Sequence, residues 1–158
     1  MKGFTLVEVL VSILILSFLF AAIVGVLNIG NMTYNIDLTL LGLQQQARLA
    51  IDGMTRELRQ TKASKISSVS ESEITFSIPP ATYGSDWIGP IRYYFDTEDN
   101  RIIREYPTGT EKIVANDINS LNFALNNNLL NIQLTCARIV HQRDLSFSLT
   151  EQVRLRNE

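Results

Sequence analysis

One cysteine, Cys136, and one histidine, His141, are all that this 158-residue chain offers of the side chains most used for zinc binding and thiol or imidazole catalysis. The lone thiol excludes an intrachain disulfide and a multi-cysteine zinc site, and the lone imidazole excludes paired-histidine metal motifs. Charge is also scarce: 19% of residues are charged, with 14 Lys plus Arg against 16 Asp plus Glu and a formal net charge of −2. That balance gives no electrostatic reason to expect a nucleic-acid partner. The chain lacks a phosphate-binding glycine loop, a serine triad and a credible carboxylate pair, so neither an enzyme nor a cofactor or metal site is expected. Its length suits one domain, or one domain and an appendage.

What the chain does have is an apolar run at its start. From Val9 to Leu27 only Ser12, Ser17 and Gly25 interrupt it, and no residue in it is charged. About 20 such residues, rising 1.5 Å each, cross a hydrocarbon layer of roughly 30 Å. A secretory signal has an apolar core of only about 7–15 residues followed by a small-residue cleavage site; this run is longer and no such site follows. Lys2 precedes the span and no Lys or Arg occurs from Asn28 through Ala47. The positive-inside rule therefore places the amino terminus in the cytoplasm and the remainder outside, in a single-pass membrane protein.

Glu8 disagrees with a plain anchor. An ionisable group within a bilayer helix costs about 2.5–3.5 kcal/mol near the centre, less toward an interface, and marks a functional candidate. Gly3-Phe4-Thr5-Leu6-Val7-Glu8 before a long apolar helix resembles the amino-terminal motif of type IV prepilins and pseudopilins. The resemblance implies a three-residue leader (residues 1–3), cleavage between Gly3 and Phe4 by prepilin peptidase, and N-methylation of Phe4. It also implies that Glu8 pairs with the terminal amine of a neighbouring subunit, a sensible role for a charge in an apolar environment. Gly25 stands where many members of that family carry a proline.

Helical periodicity continues past the span. Ile36, Leu40, Leu43, Ala47, Ala50 or Ile51, Met54 and Leu58 recur at spacings of three and four, on one face. Arg56, Arg59 and Lys62 crowd the end, where cations suit the negative helix terminus. The pattern predicts one helix over residues 4–61, roughly 85 Å at the standard rise, with the membrane segment at about 4–27. Serine-rich residues 62–72 read as a connecting loop. Residues 73–158 then change to a period of two, with turn signals at Pro79-Pro80, 96–100 and Asn126-Asn127-Asn128. They predict an antiparallel sheet packed on the helix stripe, an α+β, pilin-like fold with an extracytoplasmic domain.

Three candidate sites beyond the membrane span have simpler readings. Cys136 ends an apolar strand over Leu129 to Cys136 and is expected in the core rather than paired with His141 in catalysis. Asp96, Glu98 and Asp99 could offer oxygens to calcium, but they lack the glycine and later glutamate of an EF-hand loop. Arg48, Arg56, Arg59, Lys62 and Lys65 are interleaved with acids, as on a solvated face.

A second resemblance is narrower. Residues 47–60 (Ala47-Arg48-Leu49-Ala50 to Leu58-Arg59-Gln60), Ile91-Arg92-Tyr93-Tyr94-Phe95, Ile103-Arg104-Glu105 and Val153-Arg154-Leu155-Arg156-Asn157 are similar to the PilW/PulJ type of minor pilin and pseudopilin. That similarity implies a structural subunit helping to initiate or cap a type IV pilus or type II secretion pseudopilus. Its implied partners are other minor and major pilins or pseudopilins, prepilin peptidase and the inner-membrane assembly platform. The implied location is the bacterial inner membrane and then the filament tip. The competing expectation is a signal-anchored periplasmic binding or sensor protein, which would need the span but no cleavage after Gly3.

Overall fold

A computed structural model of the chain describes residues 5–80, 82 and 85–156. Helix α1 runs Leu6–Leu58, 53 residues without a break. The expected start at Phe4 lies outside the described residues. The helix stops before the expected Thr61 because its last turn tightens: the Gln60 amide donates to the Glu57 carbonyl (3.0 Å) and the Thr61 amide to Leu58 (3.2 Å). Thr61 is then captured by the sheets. Its hydroxyl donates to the Ser77 carbonyl (2.6 Å), and its own carbonyl accepts from the Arg156 amide (2.9 Å).

The chain divides into two compact units. The first is the helix through Leu38, whose large apolar side chains between Leu6 and Leu27 are all at least 47% exposed. It supplies the only helix among the described residues that is long and apolar enough to cross a membrane. The second unit begins at Thr39 and holds the last five turns of α1 with all the strands.

Eight antiparallel strands follow: β1 (Ile66–Val69), β2 (Glu73–Ile78), β3 (Ile88–Asp96), β4 (Arg101–Glu105), β5 (Glu111–Ala115), β6 (Ile118–Asn126), β7 (Leu129–Val140) and β8 (Arg143–Arg154). They form two sheets where one was expected, ordered β1-β2-β3-β4-β5 and β6-β7-β8. The ladder breaks after β5 because Asp117 turns left-handed (φ 56°) and the Asn116 amide is drawn to Gln46 of α1 (3.3 Å). Isolated bonds then join β6 to the first sheet, from the Phe123 amide to Glu71 and from Ile118 to Asn100.

Residues 62–72 are more ordered than a connecting loop. Ala63–Lys65 form a 3₁₀ turn and Ile66–Val69 form β1. The apolar residues Ile66 and Val69 are three apart, which hides a period of two. A bulge between Ile66 and Ser68 absorbs the extra residue, so Ile66 faces Phe76 and Val69 faces Ile74. Strand β7 likewise continues four residues past Cys136, to a two-residue turn in which His141 and Gln142 are both left-handed (φ 48° and 62°). This is the geometry of a type I′ hairpin, formed here without the usual glycine.

The core is one cluster. Leu43, Ala47, Ala50, Ile51, Met54 and Leu58 of α1, each at most 2% exposed, join inward residues of both sheets, among them Phe76, Ile91, Ile102, Ile132 and Leu134. Gly89 at the start of β3 is required by close packing, since a Cβ there would stand 2.9 Å from Ser77 Cβ and 3.1 Å from the Phe76 carbonyl oxygen.

Candidate functional site

The segment that carries the sequence motif begins with a reciprocal cap. Thr5 immediately precedes α1, and Glu8 lies three residues on. The Thr5 amide and hydroxyl both donate to Glu8 Oε2 (3.0 and 3.1 Å), while the Glu8 amide donates back to the Thr5 hydroxyl (3.3 Å). This is a capping box, which satisfies helix-terminal donors that have no carbonyl partner within the helix. The carboxylate therefore has local partners, although a Thr-x-x-Glu signal before an apolar run was available in the sequence. What Glu8 lacks among the described residues is a cation: no ion pair involves it.

The two hydroxyls deeper in the apolar run are satisfied in place. Ser12 donates to the Glu8 carbonyl (2.7 Å) and Ser17 to Ile13 (2.8 Å). Each thereby presents no free donor to an apolar surrounding, as a bilayer helix requires. Gly3 and Phe4, the expected processing residues, lie outside the described residues.

In the second unit the helix is locked to the first sheet by a partly buried polar group. Glu57 lies on α1 beside the apolar stripe. Its carboxylate accepts from the Tyr93 hydroxyl (2.9 Å) and from Arg104 Nε (3.1 Å to each oxygen). Both charged side chains are only about one-fifth exposed, at 20% and 21%. Burial, and then the Glu57 carboxylate, push the Tyr93 phenol well above its ordinary value, so it remains a donor. Tyr93 and Arg104 are directly paired on β3 and β4, so sheet register sets the spacing of the two donors. On the opposite face Arg92 bridges Glu73 (2.8 Å) and Glu105 (3.4 Å) and lies over the Tyr94 ring. The Arg92 hydrogen bond holds the Glu73 carboxyl below the usual carboxylate range.

The other candidates separate. Cys136 is fully buried in β7, and burial together with the nearby Asp117 charge pushes its thiol up to about 11, opposite to the shift a nucleophile needs. His141 sits five residues on, roughly 17 Å along an extended strand, in the exposed hairpin turn. Asp96 and Asp99 are both engaged by Arg101, at 3.0 and 2.7 Å, so two of the three proposed calcium ligands hold a guanidinium. Arg48, Arg56 and Arg59 are exposed; Arg59 approaches Glu151 at 3.6 Å.

The described residues thus comprise an exposed apolar helix with one acidic residue near its start and a helix-braced sheet domain. No curated protein and no solved structure matches this chain. Residues 1–24 match the family model described as the prokaryotic N-terminal methylation motif. With the pilin-like architecture of a long helix packed on antiparallel sheets, this motif supports a type IV prepilin-like protein, and the apolar amino-terminal helix fits inner-membrane anchoring.

Proposed function

We propose that this protein is a minor pilin or pseudopilin of the PilW/PulJ type, a structural subunit that helps initiate or cap a type IV pilus or type II secretion pseudopilus. The observation that carries the reading is the methylation motif over residues 1–24, continuous with a helix exposed through its whole apolar half. In this reading prepilin peptidase cuts between Gly3 and Phe4 and Phe4 is N-methylated. The new terminal amine is the cation that Glu8 lacks among the described residues, and a neighbouring subunit supplies it. Burying Glu8 in an apolar filament is then compensated by that amine rather than left as an isolated charge. The strand domain stays outside the membrane and offers its surface to other minor and major subunits, while the helix engages the inner-membrane assembly platform.

Mass spectrometry of the membrane-extracted protein tests the reading. Loss of Met1-Lys2-Gly3 with a methyl on Phe4 is expected, and Gly3→Leu should leave the leader in place. An intact amino terminus in the wild type, produced in cells with an active prepilin peptidase, would instead fit a signal-anchored periplasmic binding or sensor protein.

A further inference from the structure

Strand β8 is an edge without the usual protection. It pairs with β7 through twelve consecutive residues with no bulge, and no described strand covers its other side. Sheet edges are normally blunted by lysine, proline, bulges or short length. β8 has twelve residues, no lysine and no proline, and its centre, Leu145-Ser146-Phe147-Ser148-Leu149-Thr150, is uncharged. Leu145, Phe147 and Leu149 lie on the face packed toward the core, yet each stays only half-buried.

The hairpin fixes which backbone groups are free. A two-residue turn closes on a hydrogen-bonded pair, here Val140 and Arg143. Hydrogen-bonded and non-hydrogen-bonded pairs then alternate. Odd-numbered residues of β8 direct their amides and carbonyls to β7, and Asp144, Ser146, Ser148 and Thr150 direct theirs to the open edge.

We propose that a second copy of this chain pairs antiparallel along β8, about a two-fold axis at Phe147, so that two three-stranded sheets join into one of six strands. In this register Ser146 faces Ser148 and Asp144 faces Thr150, so every open-edge residue from 144 to 150 meets another whose groups are free. On the core-side face Phe147 meets Phe147 and Leu145 meets Leu149. Arg143 meets Glu151, twice by symmetry. Glu151 has only an exposed 3.6 Å approach to Arg59 within its own chain, and Arg143 is exposed with no ion-pair partner among the described residues. Moving the axis by one residue either way sets Glu151 against Leu145 or Arg143 against Leu149. Charge complementarity therefore selects the second copy and its register together. The contact uses neither the apolar helix nor Glu8 and stands apart from the filament reading.

Sedimentation of the full chain in detergent micelles across a concentration series, with Arg143→Glu, Glu151→Arg, the double reversal and Ser148→Pro, tests it. The wild type should dimerise. Each single reversal should weaken the dimer about tenfold, since two pairs become like-charged, and the double reversal should restore it to within about fivefold. Ser148→Pro removes an edge-facing amide and should abolish pairing with an unchanged melt; if it unfolds, the charge variants decide. A monomeric wild type, a dimer indifferent to the reversals, or a double reversal that fails to rescue would each overturn the proposal.

Discussion

Removing the second half of α1 should abolish folding of the strand domain, whereas removing the first half should not. Leu43, Ile51, Met54 and Leu58 are each at most 2% exposed. Burying a large apolar side chain is worth about 1.5–3 kcal/mol, so these four contribute about 6–12 kcal/mol. That equals most of the roughly 5–15 kcal/mol net stability of a typical domain. Ala47 and Ala50, also fully buried, let the helix approach closely. A fragment beginning at Asn31 retains all six residues, the Glu57 lock and the Thr61 staple. It should be soluble and unfold cooperatively in urea, while a fragment beginning at Lys62 should aggregate or lose its structure. Two substitutions in the longer fragment separate packing from helix propensity. Leu58→Ala should cost about 2–5 kcal/mol, the range for a buried leucine. Leu49→Ala, on the same helix but 62% exposed, should change stability by no more than about 0.5 kcal/mol. Equal effects of the two, or a cooperative melt of the fragment beginning at Lys62, would refute the claim that this helix completes the core.

Tyr93→Phe should cost about 1–3 kcal/mol by leaving part of the Glu57 carboxylate unsatisfied. Because the folded Tyr93 phenol titrates above its unfolded value, its contribution is complete below about pH 10 and declines above it; the alkaline decline in urea stability should shrink in Tyr93→Phe. Glu73 has the opposite sign, since Arg92 lowers its folded value. Its contribution is present at neutral pH and is lost as pH falls through the acidic range, so Glu73→Gln should flatten the acid limb of the same profile. Cys136 should resist iodoacetamide in the native protein and react on addition of urea, and rapid native labelling would contradict its buried position. Glu8→Ala should impair recovery in sheared filament fractions far more than Thr5→Ala, which removes the cap hydroxyl alone; equal losses would reduce Glu8 to a helix cap.

The parts of the fold that were legible in the sequence are those with a period. The apolar run from Val9 to Leu27 and the stripe from Leu43 to Leu58 announce a helix because burial on one face imposes spacings of three and four. Strands β2 and β3 alternate for the same kind of reason, whereas β4, with adjacent Ile102 and Ile103 both buried, is marked by the turn before it. Strand β1 escaped because its bulge places Ile66 and Val69 three apart. The division into two sheets escaped because it depends on a left-handed Asp117 and a bond from the Asn116 amide to Gln46, seventy residues away. The Glu57–Tyr93–Arg104 lock is invisible locally, since its members lie 36 and 47 residues apart and meet only through sheet register. Thr5 differs: its capping signal was in plain view, within a motif whose resemblance to a processing site directed notice to its glycine, phenylalanine and glutamate.

The two units handle charge in opposite ways. In the strand domain the acidic groups of the ordered faces are matched within the chain: Glu57 by Arg104, Glu73 and Glu105 by Arg92, Asp96 and Asp99 by Arg101. These pairs hold helix and strands in one register, while Arg143 and Glu151 of β8 stay outside them. In the apolar half of α1 the polar groups are reduced to three, and two of them, Ser12 and Ser17, close onto their own backbone. Glu8 alone retains capacity: Oε2 is shared by Thr5, and no described cation reaches the carboxylate. Such a group tolerates water or an interface well and an apolar surrounding badly. Any assembly that removes this segment from contact with water must therefore bring a cation or further donors to Glu8. Leader removal at Gly3 would generate such a cation four residues away, on Phe4, in every copy of the chain. In the proposed reading, peptidase action would thus place a cation at a fixed distance from Glu8 without any change in the strand domain.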